Sequence, residues 1–271
     1  MVNTATSRLG VVMRRRYMFR LICCLFAILV SVVRVHAQTT LQSDEHADVV
    51  DYSSIDSLWR ESIDRGRLRT AAVGSDVYRR FRDQCANATP MAYLPNARLA
   101  FWTNVYVVCL MEAMHLRVGY RSTTHDSLWL RRDTFVIARE RVTLDDMLRR
   151  VEACSVLVHA RECLPTGSSH GAPLPPTLAT TRRVRVWYRD MLRRIVRSER
   201  NLLFDPWSST LQVSAWLRPL WIRLGERDGT FVDYVMPQLT ESTAAQIALC
   251  APRLRIVFSD RIETWRKARP R

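Results

Sequence analysis

The chain has 271 residues, with 41 Lys plus Arg against 26 Asp plus Glu, a formal charge of +15 and 48% hydrophobic residues. A quarter charged and nearly half apolar is ordinary globular composition, which excludes a disordered, collagenous or coiled-coil chain. All the basic residues but Lys267 are arginine, a bias that reflects coding composition better than a nucleic-acid surface, and no nucleic-acid recognition motif is present.

Met13–Ala37 opens with MRRRYMFR, continues as the 13-residue apolar run Leu21–Val33 and closes with RVHA before QTT. A basic segment, a short apolar core and Val35 and Ala37 before the cut form the pattern of a secretory leader, with Gln38 as the mature start. A spanning helix needs about 20 apolar residues, so an uncleaved N-terminal membrane anchor is the lesser alternative. More apolar core follows Cys23 and Cys24, which argues against a lipid-modified cysteine, and the basic run favours Met13 over Met1 as initiator. The expectation is an exported protein, periplasmic or extracellular, that touches the membrane only transiently through its leader. Residues 1–37 carry six Arg and no acid, leaving 35 basic against 26 acidic residues and a mature charge of +9. An anionic envelope ligand, a lipid headgroup or polysaccharide, fits that charge and compartment.

Five cysteines follow the leader: Cys85, Cys109, Cys154, Cys163 and Cys250. An odd number in an exported chain leaves at least one unpaired, and the wide spacing excludes a disulfide-dense scaffold or a zinc ribbon. His46, His115, His125, His159 and His170 stand too far apart for a helical metal site. No metal or cofactor is expected.

In chain order, 38–51 is a polar lead-in. Tyr52–Leu68 has helical spacing at Ile55, Leu58, Trp59 and Ile63, with Ser53 or Ser54 as cap. Val73–Phe81 predicts a second short helix, and PMAYLPN at 90–96 a connection. Ala97–Leu116 is the strongest helix, apolar over a wide face and hence central to the core. Residues 127–144 predict a β-hairpin turning at Arg139–Arg141, after which Thr143 or Asp145 caps a helix through Val151. Cys154–Ala160 reads as a buried strand. Residues 161–180 hold prolines, glycines and hydroxyl residues in place of any period and predict a long loop, a feature that is uncommon in compact domains and often functional. Val184–Val196 is helical with an arginine-rich outer side. Leu202–Phe204 and Leu211–Val213 flank DPWSS as a second hairpin. Helices over Ser214–Leu224, Thr230–Leu239 and Ser242–Leu249, a strand over Leu254–Phe258 and a basic tail at 266–271 complete the chain. The sum is a single α+β domain over 52–265, rich in helices, with short antiparallel strands.

The motif NARLAFWTNVYVV (96–108) resembles the signature helix of the family known as domain of unknown function 547. VTLDDMLRR (142–150) is similar to that family's Asp–Asp helix start, and VLVHARECLPTGSSHGAPLP (156–175) to its strand, cysteine loop and proline segment. LQVSAWLRPLW, FVDYVMPQL and LRIVFSDRI continue the same order, so the likeness spans about 91–262. The chain departs from the pattern at Val107, Leu148 and Arg149, and keeps only Cys163 of two loop cysteines, with Gly171 and Ala172 near the other position. The resemblance therefore implies a degenerate or specialised member.

Cys163 shares the loop with His170, and a thiolate nucleophile needs such a base or nearby positive charge. Catalysis through Cys163 with His170 or His159, as hydrolase or transferase, stands against an inert loop cysteine or a Cys154–Cys163 disulfide. Asn104, on the signature helix, is read either as an amide clamping a neighbouring backbone or as a ligand contact, in a groove between helix 97–116 and loop 161–180. Asp145 and Asp146 are helix caps or binding residues, and Arg161 is a source of charge for the loop. His159 in an apolar run is otherwise a satisfied core histidine, and Cys109 a core thiol. The reading favoured is an envelope domain that binds a ligand and has weakened or lost catalysis.

Overall fold

The computed structural model describes residues 50–64, 67–68, 73–116, 130–166 and 171–260. The leader, most of the lead-in, the basic tail and His170 lie outside the described residues.

Helix α1 (Ser53–Ser62) buries Ile55, Trp59 and Ser62 on one stripe. Its cap position is Tyr52, not a serine, and Asp51 Oδ1 accepts the Ser53 N–H at 2.9 Å instead. The helix stops short of the expected Leu68, because the chain reverses through the two-residue strands β1 (Ile63–Asp64) and β2 (Arg67–Leu68). Helix α2 (Asp76–Asn87) starts later and runs longer than its apolar spacing predicts. Ser75 caps it by accepting the Tyr78 N–H at 3.2 Å, behind Gly74, whose φ of +94° disfavours any side chain.

Helix α3 (Pro95–His115) buries 15 of its 21 residues. A helix apolar on nearly every side must be surrounded; α3 is packed by α4 (Leu144–Cys154), by α5 (Val184–Arg197) and by the chain leading into α5.

Strands β3 (Thr134–Ile137) and β4 (Glu140–Thr143) form the expected hairpin, but the turn is Ala138–Arg139, with φ of +54° and +64°. Two successive left-handed residues match the strand twist yet strain non-glycine side chains. The compensation is local: the Ala138 and Arg139 N–H groups donate to Cys85 O at 2.9 Å and Ala86 O at 2.8 Å, carbonyls in the last turn of α2, where the helix's own i to i+4 bonds run out.

The predicted strand Cys154–Ala160 does not form. Cys154 is the last residue of α4, and 158–163 coil in turns with bonds from Ala160 N to Leu157 O and from Cys163 N to His159 O. Val156 is 81% exposed, so the run is not a buried edge.

Strands β5 (Leu202–Asp205), β6 (Thr210–Ser214) and β7 (Arg255–Ser259) make one sheet in that order. β5 and β6 are the predicted antiparallel hairpin, whereas β7 runs parallel to β6. Short helices α6 (Arg218–Arg223), α7 (Asp228–Val235) and α8 (Glu241–Cys250) make the crossover. The described residues fall in one compact unit, 48–271, and the helix-rich α+β class is as predicted, with a mixed third sheet. Among the described residues no helix is long and apolar enough to cross a membrane.

Candidate functional site

The described parts of the 161–180 segment are irregular yet bound down along their length. Asn104 Nδ2 donates to Ala179 O at 2.6 Å while its Oδ1 accepts the Ala179 N–H at 2.7 Å. Tyr106 OH donates to Pro165 O at 2.6 Å, and the Trp59 and Trp187 indoles donate to Pro175 O and Thr177 O, each at 2.8 Å. The Leu178 N–H donates to Asp56 Oδ1 at 2.6 Å. A proline-rich segment cannot satisfy its carbonyls in a ladder, so side chains of α1, α3 and α5 do it instead. The segment is thereby seated directly on α3, where a groove is expected. Asn104 is fully buried, and both polar atoms of its side chain are engaged by the Ala179 backbone.

Asp145 and Asp146 take different structural roles. Thr143 Oγ1 accepts the Asp146 N–H at 3.1 Å and Asp146 Oδ2 accepts the Thr143 N–H at 2.9 Å, a capping box that opens α4. Hydrogen bonds from the Thr143 backbone and hydroxyl hold the Asp146 pKa below the usual carboxylate value. Asp145 is buried and meets Arg131 at 3.1 Å, Arg149 at 3.3 Å and Arg161 at 3.4 Å. Arg161 also reaches Glu152 at 3.1 Å, tying the turn to α4. All three candidate binding residues are thus engaged within the fold.

The Cys163 N–H donates to His159 O at 3.2 Å, so the two residues stand one turn apart along the backbone, and both side chains meet Tyr188. Cys163 is fully buried, and its thiol donates to Tyr188 O at 3.5 Å. Burial, followed by the charge of Glu162, pushes the Cys163 pKa well above that of a free thiol. His159 shares a hydrogen bond through Nδ1 with Tyr234 OH, and its ring packs edge-on against Tyr188 at 6.4 Å. Burial lowers the His159 pKa to about 4, against a weaker opposing pull from the Tyr188 backbone, so the ring is neutral at pH 7. Tyr234 is pushed up to about 12, by burial first and then by Cys163 and Glu162.

Glu162 is buried and paired with Arg223, whose Nε donates to Val158 O at 3.1 Å. Glu162 Oε2 and His159 Nε2 are buried with no hydrogen-bond partner among the described residues. Tyr188 OH bonds Thr103 Oγ1 at 2.6 Å, and Thr103 in turn donates to Leu99 O at 2.7 Å. Glu162, Arg223, Tyr188 and Tyr234 were not among the sequence candidates. The partners of His159, Glu162 and Cys163 come from distant stretches of the chain, which a local pattern at 154–163 does not signal.

Chemically the cluster holds protons. Its thiol is protonated and inaccessible, its imidazole is neutral, and a carboxylate beside the sulfur opposes thiolate formation. Cys154 and Cys163 are both free thiols, which removes the disulfide alternative. Cys109 lies buried in the core, with Arg82 donating to its sulfur at 2.9 Å and burial pushing its pKa up to about 12. Comparison with family profiles, curated proteins and solved structures finds no match to this chain.

Proposed function

We propose that this chain is an exported envelope domain that binds an anionic ligand without thiol chemistry, as a catalytically degenerate relative of family 547. The observation that carries the absence of thiol chemistry is the state of Cys163, a buried thiol whose pKa stands well above the free value. A nucleophilic cysteine needs the opposite surroundings, partial exposure and positive potential. The leader pattern and the basic mature charge support the compartment and the sign of the ligand. The family likeness rests on the order of motifs between 91 and 262.

The test is turnover of p-nitrophenyl acetate by the folded protein beside its Cys163→Ala variant. Equal background rates support a silent thiol. A rate that falls to background only in the variant establishes the competing reading, a thiol hydrolase or transferase using Cys163 with His159 or His170. Export is checked by the mass of the envelope-fraction protein, which is expected to begin at Gln38.

A further inference from the structure

The exposed surface around the β5–β6 turn combines apolar, aromatic and cationic groups in a way that the Cys163 cluster does not use. Trp207 is 90% exposed at the tip of this turn. Its position is fixed, because Asp205 accepts the Trp207 N–H at 3.1 Å and the Ser208 hydroxyl at 2.9 Å. Two residues further, Ser209 O accepts the Arg255 N–H at 3.0 Å, which brings the start of β7 beside the turn. Arg255 and Val257 are exposed on the same side of β7.

Helix α8 leads into this edge. Ile247 is its one buried residue, while Ala245, Ala248 and Leu249 form an exposed apolar stripe at i, i+3 and i+4, Leu249 at 85% exposure. The 3-10 turn Ala251–Arg253 then presents Arg253 to solvent. Neither Arg253 nor Arg255 has a carboxylate partner among the described residues.

We infer that Trp207, the Ala245–Ala248–Leu249 stripe, Arg253 and Arg255 form a docking surface for an anionic lipid bilayer. An exposed indole and an aliphatic stripe suit the headgroup boundary, where an aromatic ring buries its body and keeps its N–H wet. Flanking arginines then meet lipid phosphates, each adding Coulombic attraction to the apolar term. The outer side of α5 offers the contrast: Arg185, Arg189, Arg194 and Arg197 are exposed there, but no large apolar side chain stands out among them. Charge alone would favour α5; the pairing of charge with apolar anchors favours the α8–β7 surface, and with it a membrane over a soluble polyanion. Independent of the state of Cys163, this surface rests on the reading of an envelope domain with an anionic ligand and gives the folded chain its own contact with the membrane.

The test is hydrogen–deuterium exchange of the full chain, resolved by segment, with vesicles of phosphatidylglycerol and of phosphatidylcholine. Slowed exchange at 206–209 and 245–255 with the anionic vesicles alone is the expected result. Arg253→Ala with Arg255→Ala is expected to weaken this protection roughly thirtyfold in lipid concentration, and Trp207→Ala with Leu249→Ser to remove it while leaving the melting temperature unchanged. Protection confined to residues 1–37, to α5 or to the 261–271 tail overturns the inference. So does equal protection by both lipids, by heparin in place of vesicles, or by higher protein concentration with no lipid, the last marking self-association.

Discussion

Asn104 and Ala179 exchange two hydrogen bonds, amide to carbonyl at 2.6 Å and N–H to amide oxygen at 2.7 Å, across the boundary between α3 and the irregular segment leading into α5. Both groups are buried, so neither finds water if its partner is lost. Asn104→Ala is expected to cost about 1–3 kcal/mol for each of the two stranded backbone groups. Asn104→Asp keeps the acceptor but sets a carboxylate against the Ala179 carbonyl, and is expected to be no better tolerated. Urea unfolding of both variants checks this; a loss of under 1 kcal/mol for Asn104→Ala would show that the clamp adds little.

His159 gives the fold a definite pH dependence. Its pKa is about 4 in the folded chain, lowered by burial, against about 6.5 unfolded. The unfolded state therefore binds the extra proton between those values, and stability rises with pH across that window. The contribution is complete above about 6.5 and is lost as pH falls toward 4, for a total on the order of 3 kcal/mol. His159→Gln removes the titration, so the difference in melting temperature between the two proteins is expected to change from pH 7 to pH 4.5. Parallel profiles would contradict a neutral, desolvated imidazole.

Asp145 is buried among three arginines, two of which have side chains more than 60% exposed. Exposed partners of an ion pair contribute little, so Arg131→Ala or Arg149→Ala is expected to cost under about 1 kcal/mol. Asp145→Ala removes the shared acceptor and leaves three cations facing one another, at a cost of about 1–3 kcal/mol. Urea titrations at low and high salt separate the two effects, because salt screens the arginine repulsion in the variant. Equal costs for Asp145 and Arg131 would count against this division.

Thr143 and Asp146 close the first turn of α4 through reciprocal bonds. Thr143→Ala is expected to lower stability by about 1 kcal/mol, the ordinary worth of such a cap, and Thr143→Ser to restore most of it. Thermal melts of both variants decide the point.

The elements easiest to read from sequence are those whose apolar pattern coincides with one packing demand. α3 and α5 fall close to their predicted spans because long stripes of Leu, Val, Trp and Tyr allow no other register. The DPWSS hairpin was equally legible, since Asp205 and Pro206 punctuate two apolar runs. The Cys154–Ala160 run misled because a short apolar stretch has no period of its own: Cys154 finishes a helix, and Val156 faces water. Cys163 and His159 were paired as candidates all the same, but Glu162 and its partner Arg223, far along the chain, gave no local signal. The parallel pairing of β7 with β6 depends on a crossover of three helices that local pattern does not encode. Asn104 was legible as a clamp because a buried amide has to find backbone partners, but its partner Ala179 lies 75 residues away.

Thiol alkylation of the folded protein, read residue by residue across pH, tests whether Cys163 is a silent thiol in its buried surroundings. Cys163, Cys85 and Cys109 are buried, while Cys154 and Cys250 are half-exposed. Iodoacetamide is therefore expected to label Cys154 and Cys250 first and to leave Cys163 unmodified from pH 6 to 9 until the chain unfolds. Fast labelling of Cys163 near neutral pH, with an apparent pKa below that of a free thiol, would contradict the account and make the cluster an active site.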